Sequence, residues 1–162
     1  MIMRPPLRKL LLTLHITTSV GLLGAVAGFL ALAISGLAAA DIEAAHGAYF
    51  AMERLTTLVI VPLAFIMLFV GLIQSLGTRW GLFQHYWIVF KLALTLFAIG
   101  VLLLQLDTIA MLSTAADLTL LATARFSMVL HSAGGSAVLL LATILSVYKP
   151  RGRLPRRKFA TT

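Results

Sequence analysis

The sequence contains no cysteine, and acidic residues are scarce: five Asp and Glu stand against 13 Lys and Arg among 162 residues. The absence of cysteine excludes disulfides, thiolate metal sites and iron–sulfur clusters. Charged residues make up only 11% of the chain, whereas 60% of it is hydrophobic. A soluble domain of this length does not need so much apolar surface, so the composition predicts an integral membrane protein.

Four apolar runs are each long enough to cross a bilayer, whose hydrocarbon core of roughly 30 Å needs about 20 helical residues. Short links between them favour antiparallel neighbours. The sequence therefore predicts an all-α fold, a four-helix transmembrane bundle, with a kink at Pro62 in the second run. The expected spans, within one membrane domain 1–162, are residues 10–37, 55–76, 82–106 and 118–148, followed by a basic tail 149–162.

Charges divide between the two ends of the expected helices. The N-terminal lead, the turn at residues 77–81 and the tail together hold ten of the 13 Lys and Arg, whereas all five acids fall in or beside the links 41–54 and 107–117. The positive-inside rule then predicts a multi-pass protein of the cytoplasmic (inner) membrane with both termini cytoplasmic. The cationic tail favours contact with anionic lipids, and its lack of stacking aromatics apart from Phe159 argues against nucleic acid.

Two helix starts carry capping signals. Asp41 is expected to cap a helix that runs straight into the second span. Thr114, with Asp117 three residues later, resembles a capping box, which predicts that the fourth helix starts there. The segment 107–117 is predicted to be a loop.

Lys91 lies well inside the third apolar run. If the membrane begins near Leu82, this lysine is on the order of 13 Å deep, where it costs roughly 2.5 to 3.5 kcal/mol. Such a residue is expected to face a partner, a cavity or a reaction, or to snorkel. On a helix it shares one stripe with Thr95 and Gln105, although helix–helix contact alone would also explain that stripe.

The four histidines divide into two candidate sites. A haem between helices needs one or two axial histidines, a slot made by small residues and cations for its propionates. Gly134 and Gly135 would provide such a slot, and Arg125 would meet a propionate. Each histidine has the alternative role of a hydrogen-bonded polar side chain at a helix interface. The inner candidate comprises His15, His85 and Lys91, and the outer one comprises His46, Glu53, Arg54, Arg125 and His131.

Three stretches carry a resemblance to known families. They are LHITTSVGLLGAVAGFLALA (14–33), VPLAFIMLFVGLIQSLGTRWGLFQHYWIVFKLALT (61–95) and HSAGGSAVLLLATILSVYKPRG (131–152). They resemble a group of uncharacterised bacterial integral membrane proteins that carry a domain-of-unknown-function label. This resemblance covers nearly the whole chain and implies the four-span fold without an activity.

Leu14-His15 in the first span and Lys91-Leu92 in a later span are also similar to two better-known sets. These are the copper-resistance D-type membrane proteins and the haem-linked protoporphyrinogen oxidase of bacteria. The oxidase resemblance implies a haem b cofactor. Two departures stand out: His85 precedes Lys91 by six residues instead of two, and Arg125 alone matches the oxidase's Arg, Asn and Glu before the last span.

Three functions remain open from the sequence. The leading hypothesis is a small membrane protein that binds haem or a metal between its helices in a redox-linked role, using His15 and Lys91 with His85 or His131. A second is a non-catalytic accessory subunit, which would pack against membrane partners or a second copy of itself through the glycines of the first span. The third is a small transporter, which the location of all acids at one surface disfavours.

Overall fold

The computed structural model of the protein describes residues 3–77, 82, 84–115 and 117–148. Within these residues the chain forms four long helices and no strand. Each helix is long and apolar enough to cross a membrane, so the expected all-α bundle is confirmed and the protein is a multi-pass membrane protein. The predicted turn at 78–81 and the basic tail 149–162 lie outside the described residues. The helices are α1 (Pro5–Ala38), α2 (Ile42–Leu76), α3 (Tyr86–Thr114) and α4 (Thr119–Tyr148).

The start of α2 agrees with its capping signal. The carboxylate of Asp41 accepts a hydrogen bond from the backbone N–H of Ala44 at 2.7 Å, which satisfies one of the free donors at the helix start. Within α2, a π-helical turn covers Thr56–Ile60, and the N–H of Val61 bonds the carbonyl of Thr56. Because Pro62 has no N–H to give, this wider turn absorbs the missing helical bond.

The end of α3 and the start of α4 differ from expectation. Residues Leu106–Thr114 are helical instead of forming a loop, after an irregular turn at Gln105. The hydroxyl of Thr114 bonds the Ala110 carbonyl of its own helix. Just before α4, the carboxylate of Asp117 accepts hydrogen bonds from the backbone N–H and the hydroxyl of Thr119 at 2.8 and 2.6 Å, and Leu118 occupies the N-cap position. The Thr114–Asp117 capping box is therefore wrong.

The four helices surround a common centre, but they do not pack evenly. We name the end where α1 stops and α2 starts the acidic end, because all five acids lie toward it, and the opposite end the basic end. Helix α1 packs against α2 and α4, and α3 packs against α4. Helices α2 and α3 meet through Ile42–Leu55 and Leu106–Thr114, whereas Val61–Leu76 and Tyr86–Leu104 touch only slightly. These two helices therefore diverge toward the basic end.

The tightest part of the core lies toward the acidic end. Arg125 connects α4 to α2 and α1 there. Its Nε donates a hydrogen bond to the hydroxyl of Tyr49 at 3.0 Å, and its Nη2 donates to the carbonyl of Gly36 at 2.8 Å. This contact satisfies a free carbonyl at the C-terminus of α1. Glycine is needed at position 36, because a Cβ there would stand 2.9 Å from Cζ of Tyr49. The largest fully buried side chains are Tyr49, Met52, Leu112, Leu118, Met128 and Thr56.

Candidate functional site

A cavity of about 330 Å³ lies among the four helices and is open on one side. Its volume is at the lower end of the range of small-molecule sites, roughly 300 to 1,000 Å³. The divergence of α2 from α3 makes room for it, as do the small residues Ala64, Ala98 and Gly134 on its wall. The lining is apolar except for four residues, Thr95, Gln105, His131 and Ser132.

His131 is held by neighbours on α4 and α3. Its Nδ1 lies 2.7 Å from the backbone carbonyl oxygen of Ser127, 2.9 Å from the hydroxyl of Ser127 and 2.8 Å from the side-chain amide of Gln105. The carbonyl oxygen of Ser127 can only accept and so fits a protonated Nδ1, whereas the amide nitrogen of Gln105 can only donate and so fits an unprotonated Nδ1. Nδ1 is thus engaged in either tautomer, and among the described residues no hydrogen bond involves Nε2. When the proton is on Nδ1, Nε2 is the nitrogen through which such a histidine can bind a metal.

Two glycines follow His131 on the wall of the cavity. A Cβ at Gly134 would meet nothing within 4 Å, and one at Gly135 would approach only Cγ1 of Val26, at 3.8 Å. The slot that the sequence suggests beside His131 therefore has space in the structure. Ser132 adds no free polar group, because its hydroxyl donates to the carbonyl of Met128 at 2.7 Å.

The other members of the outer candidate site point to separate partners. Glu53 accepts a hydrogen bond from the hydroxyl of Ser113 at 2.7 Å. The guanidinium of Arg54 lies 5.0 Å from the centre of the Phe50 ring. Arg125, the expected propionate partner, faces α1 and Tyr49 instead of lining the cavity. Of the outer candidate, His131 is the member that lines the cavity.

At the inner candidate site, His15 and Lys91 both lie in the basic half of the bundle. The ring of His15 packs against Gly71 of α2, where a Cβ would stand 3.0 Å from Cε1, and its Nδ1 is buried without a hydrogen-bond partner among the described residues. The Nζ of Lys91 donates to the hydroxyl of Ser146 on α4 at 2.8 Å. His85 directly precedes α3, and its ring centre lies 6.3 Å from that of Trp87.

Sequence reasoning missed the partners of these side chains. Ser127 had a local signal, because it lies four residues before His131 and so on the same face of the helix. Ser146 had none, since its contact with Lys91 joins residues 55 positions apart. Tyr49 likewise reaches Arg125 across 76 positions.

Neither site offers a ligand set for a bare metal ion. In the part of the chain that the structure describes, no group of three or more His, Asp or Glu could hold one. A haem needs fewer protein ligands, because its macrocycle supplies four nitrogens and the protein adds one or two.

Comparisons of the chain with protein-family models, with curated proteins and with solved structures find no match. The cavity and the side chains of His15 and His131 are therefore the features on which a functional proposal can be based.

Proposed function

We propose that the protein is a small haem-associated membrane protein, in which the cavity holds haem b and His131 is an axial ligand. The observation that carries this proposal is the hydrogen bonding of His131, whose Nδ1 is engaged by Ser127 and Gln105 while Nε2 makes no hydrogen bond among the described residues. His131 lines an apolar cavity together with Gly134 and Gly135, which supplies two features of a haem site between helices, a histidine ligand and a slot of small residues.

The walls of the cavity support a flat apolar ligand over an ion or a polar solute. A transport path for ions would need polar or charged groups along its length, whereas the polar residues here are few. The open side lets a ring system larger than the enclosed volume extend into the lipid. No Lys or Arg lies among the residues that line the cavity, so Arg125 would not pair with the carboxylates of a haem held there.

When bound, haem would supply one-electron redox chemistry or the binding of a small gas at the iron. The residues of the chain would bind the haem and fix its orientation. Ser127 and Gln105 would hold the ring of His131 in one orientation, and such second contacts set the basicity of a ligand nitrogen. The apolar wall excludes water and lowers the local dielectric constant, which tunes the reduction potential.

The proposed location is the cytoplasmic membrane, with both termini in the cytoplasm. It is supported by the charge distribution along the sequence: ten of the 13 Lys and Arg lie in the N-terminal lead, the segment 77–81 and the tail 149–162, whereas all five acids lie in or beside the other two links. Insertion machinery retains positively charged loops on the cytoplasmic side.

A haem titration of the purified protein in nanodiscs tests the proposal. We expect the wild type to give a Soret band with a stoichiometry of one haem per chain, and His131→Gln to lose at least tenfold in affinity. His46→Gln is the matched control, because it removes a histidine that does not line the cavity, and it should bind like the wild type. Absence of a Soret band from the wild type, or equal affinities for the two variants, would refute the proposal.

A further inference from the structure

Lys91 carries a positive charge that no acidic side chain of the chain can neutralise. The nearest acid along its own helix, Asp107, is 16 positions away, which is about 24 Å of helix. On α2, Glu53 is 18 positions, or about 27 Å, from Gly71, the residue that contacts His15. Asp41, Glu43 and Asp117 lie at the acidic end as well.

The partner that Lys91 does have uses only part of its capacity. Its Nζ donates to the hydroxyl of Ser146 at 2.8 Å, and that hydroxyl in turn donates to the carbonyl of Ala142. An ammonium group has three N–H donors, so two donors of Lys91 remain unused among the described residues. A neutral hydroxyl does not balance a charge, and an uncompensated charge in an apolar environment costs several kcal/mol or more.

His15 adds a second basic group to the same place. It is half-buried, and its Nδ1 is buried without a hydrogen-bond partner among the described residues. His15, against Gly71 of α2, and Lys91, five residues into α3, thus bring two basic side chains to the basic half of the bundle, where no acidic side chain of the described residues lies. Donors of this kind form their strongest hydrogen bonds to a carboxylate or a phosphate.

The packing leaves a way in from the bilayer. Val61–Leu76 of α2 and Tyr86–Leu104 of α3 touch only slightly, and His15 and Lys91 lie on or against these segments. Lys91 is five residues after the start of α3, about 8 Å along the axis, so its long side chain can reach the level of the lipid headgroups. Thr95, on the wall of the cavity, is four positions from Lys91, about 6 Å along the axis, so this region adjoins the basic end of the proposed haem site.

We propose that His15 and Lys91 bind the phosphate of an anionic phospholipid from the leaflet at the basic end, with an acyl chain lying between α2 and α3. The lipid supplies the missing negative charge, and its chain covers apolar surface that the two helices do not bury against each other. Basic groups between transmembrane helices are known to hold acidic lipid heads in this way. A lipid is favoured over a soluble anion because Lys91 lies within an apolar helix that is long enough to cross a membrane.

Native mass spectrometry of the protein in detergent, with added phosphatidylglycerol or phosphatidylcholine, tests this site. We expect one phosphatidylglycerol per chain to bind at least fivefold more tightly than phosphatidylcholine, the effect of about one cation. Lys91→Gln should lose that preference, whereas Lys91→Arg should retain it. Lys9→Gln is the matched control, because it removes a positive charge of the same kind from an exposed position of α1 at the basic end of the bundle.

Three results would overturn the site: equal binding of the two lipids by the wild type, equal losses in Lys91→Gln and Lys9→Gln, or displacement of the lipid by millimolar inorganic phosphate. The last would identify a soluble anion as the ligand. If Lys91→Gln does not fold, the unfolding temperature of the wild type provides the test. We expect phosphatidylglycerol to raise that temperature more than phosphatidylcholine does, and equal increases would overturn the site. None of these measurements depends on haem.

Discussion

The ring of His15 on α1 lies directly against Gly71 on α2, so closely that a Cβ at position 71 would stand 3.0 Å from Cε1 and 3.4 Å from Nδ1. The histidine thus occupies the space that a side chain would otherwise fill. The same helix also meets the glycines of α1, because a Cβ at Gly21 would lie 3.5 Å from Leu63. Small residues on both helices therefore bring α1 and α2 together.

Gly71→Ala should destabilise the protein. The added methyl group must displace the ring of His15, and overpacking of this kind costs about 1 to 3 kcal/mol. Thermal unfolding in detergent, followed by circular dichroism, measures the change. The control is Gly24→Ala on α1, where a Cβ meets nothing within 4 Å; it should leave stability unchanged or raise it by up to about 1 kcal/mol. Equal stabilities for the two variants would contradict the contact.

Arg125→Gln should loosen the acidic end. It removes the hydrogen bonds to Tyr49 and to the carbonyl of Gly36, and bonds from a charged donor are worth roughly 1.5 to 3 kcal/mol each. Denaturation in a detergent series would report the loss. Arg54→Gln is the matched control, since Arg54 is exposed and rests over Phe50, a contact worth about 0.5 to 1 kcal/mol. A larger loss in the control would show that Arg125 does not fasten α4 to α1.

Gly134→Leu should separate folding from ligand binding. Nothing lies within 4 Å of a Cβ at this position, and the residue lines the cavity, so the leucine side chain would enter the empty space without a clash. We expect an unfolding temperature at or above that of the wild type together with the loss of haem binding. Gly100→Leu, which also meets nothing nearby but is not part of the cavity wall, should keep its haem. Retention of haem by both variants would place the ligand elsewhere.

Thr119→Ala should raise the pKa of Asp117. The hydroxyl and the backbone N–H of Thr119 bond the Asp117 carboxylate and hold its pKa below the usual 3.8. A lowered folded-state pKa stabilises the folded chain above the unfolded value, and this contribution is lost as the pH falls through the folded pKa. Carbon-13 NMR of labelled aspartate measures the titration. Thr114→Ala should leave the pKa of Asp117 unchanged, because the hydroxyl of Thr114 bonds the carbonyl of Ala110. An equal shift in both variants would indicate that Thr114 and Asp117 do form a capping box.

The fold could be predicted from the sequence because it depends on local properties. Long apolar runs identify the four helices, and Asp41 marks the start of α2 through a contact only three residues away. The error at residues 107–114 has a physical reason as well. Asp107 suggested a loop, but near the start of a helical segment its negative charge interacts favourably with the helix dipole.

The sites could be predicted only in part, because their partners come from distant parts of the chain. The inward stripe of α3 correctly suggested that Lys91 and Gln105 face other helices, and their partners Ser146 and His131 both belong to α4. The register of α3 against α4, however, is fixed by packing and not by spacing within either helix. Arg125 illustrates the limit, since its bond to Gly36 joins residues 89 positions apart.

The unequal packing of α2 and α3 has a mechanical consequence. Two helices that pack closely at one end can change their separation at the other, because no contact in the closely packed half has to break. The nine residues of sequence between Leu76 and Tyr86 limit how far the basic ends of α2 and α3 can part, and lateral pressure in the leaflet at that end would act on their separation. Amide hydrogen exchange should accordingly be faster along Val61–Leu76 than along Ile42–Leu55, although both segments belong to one continuous helix.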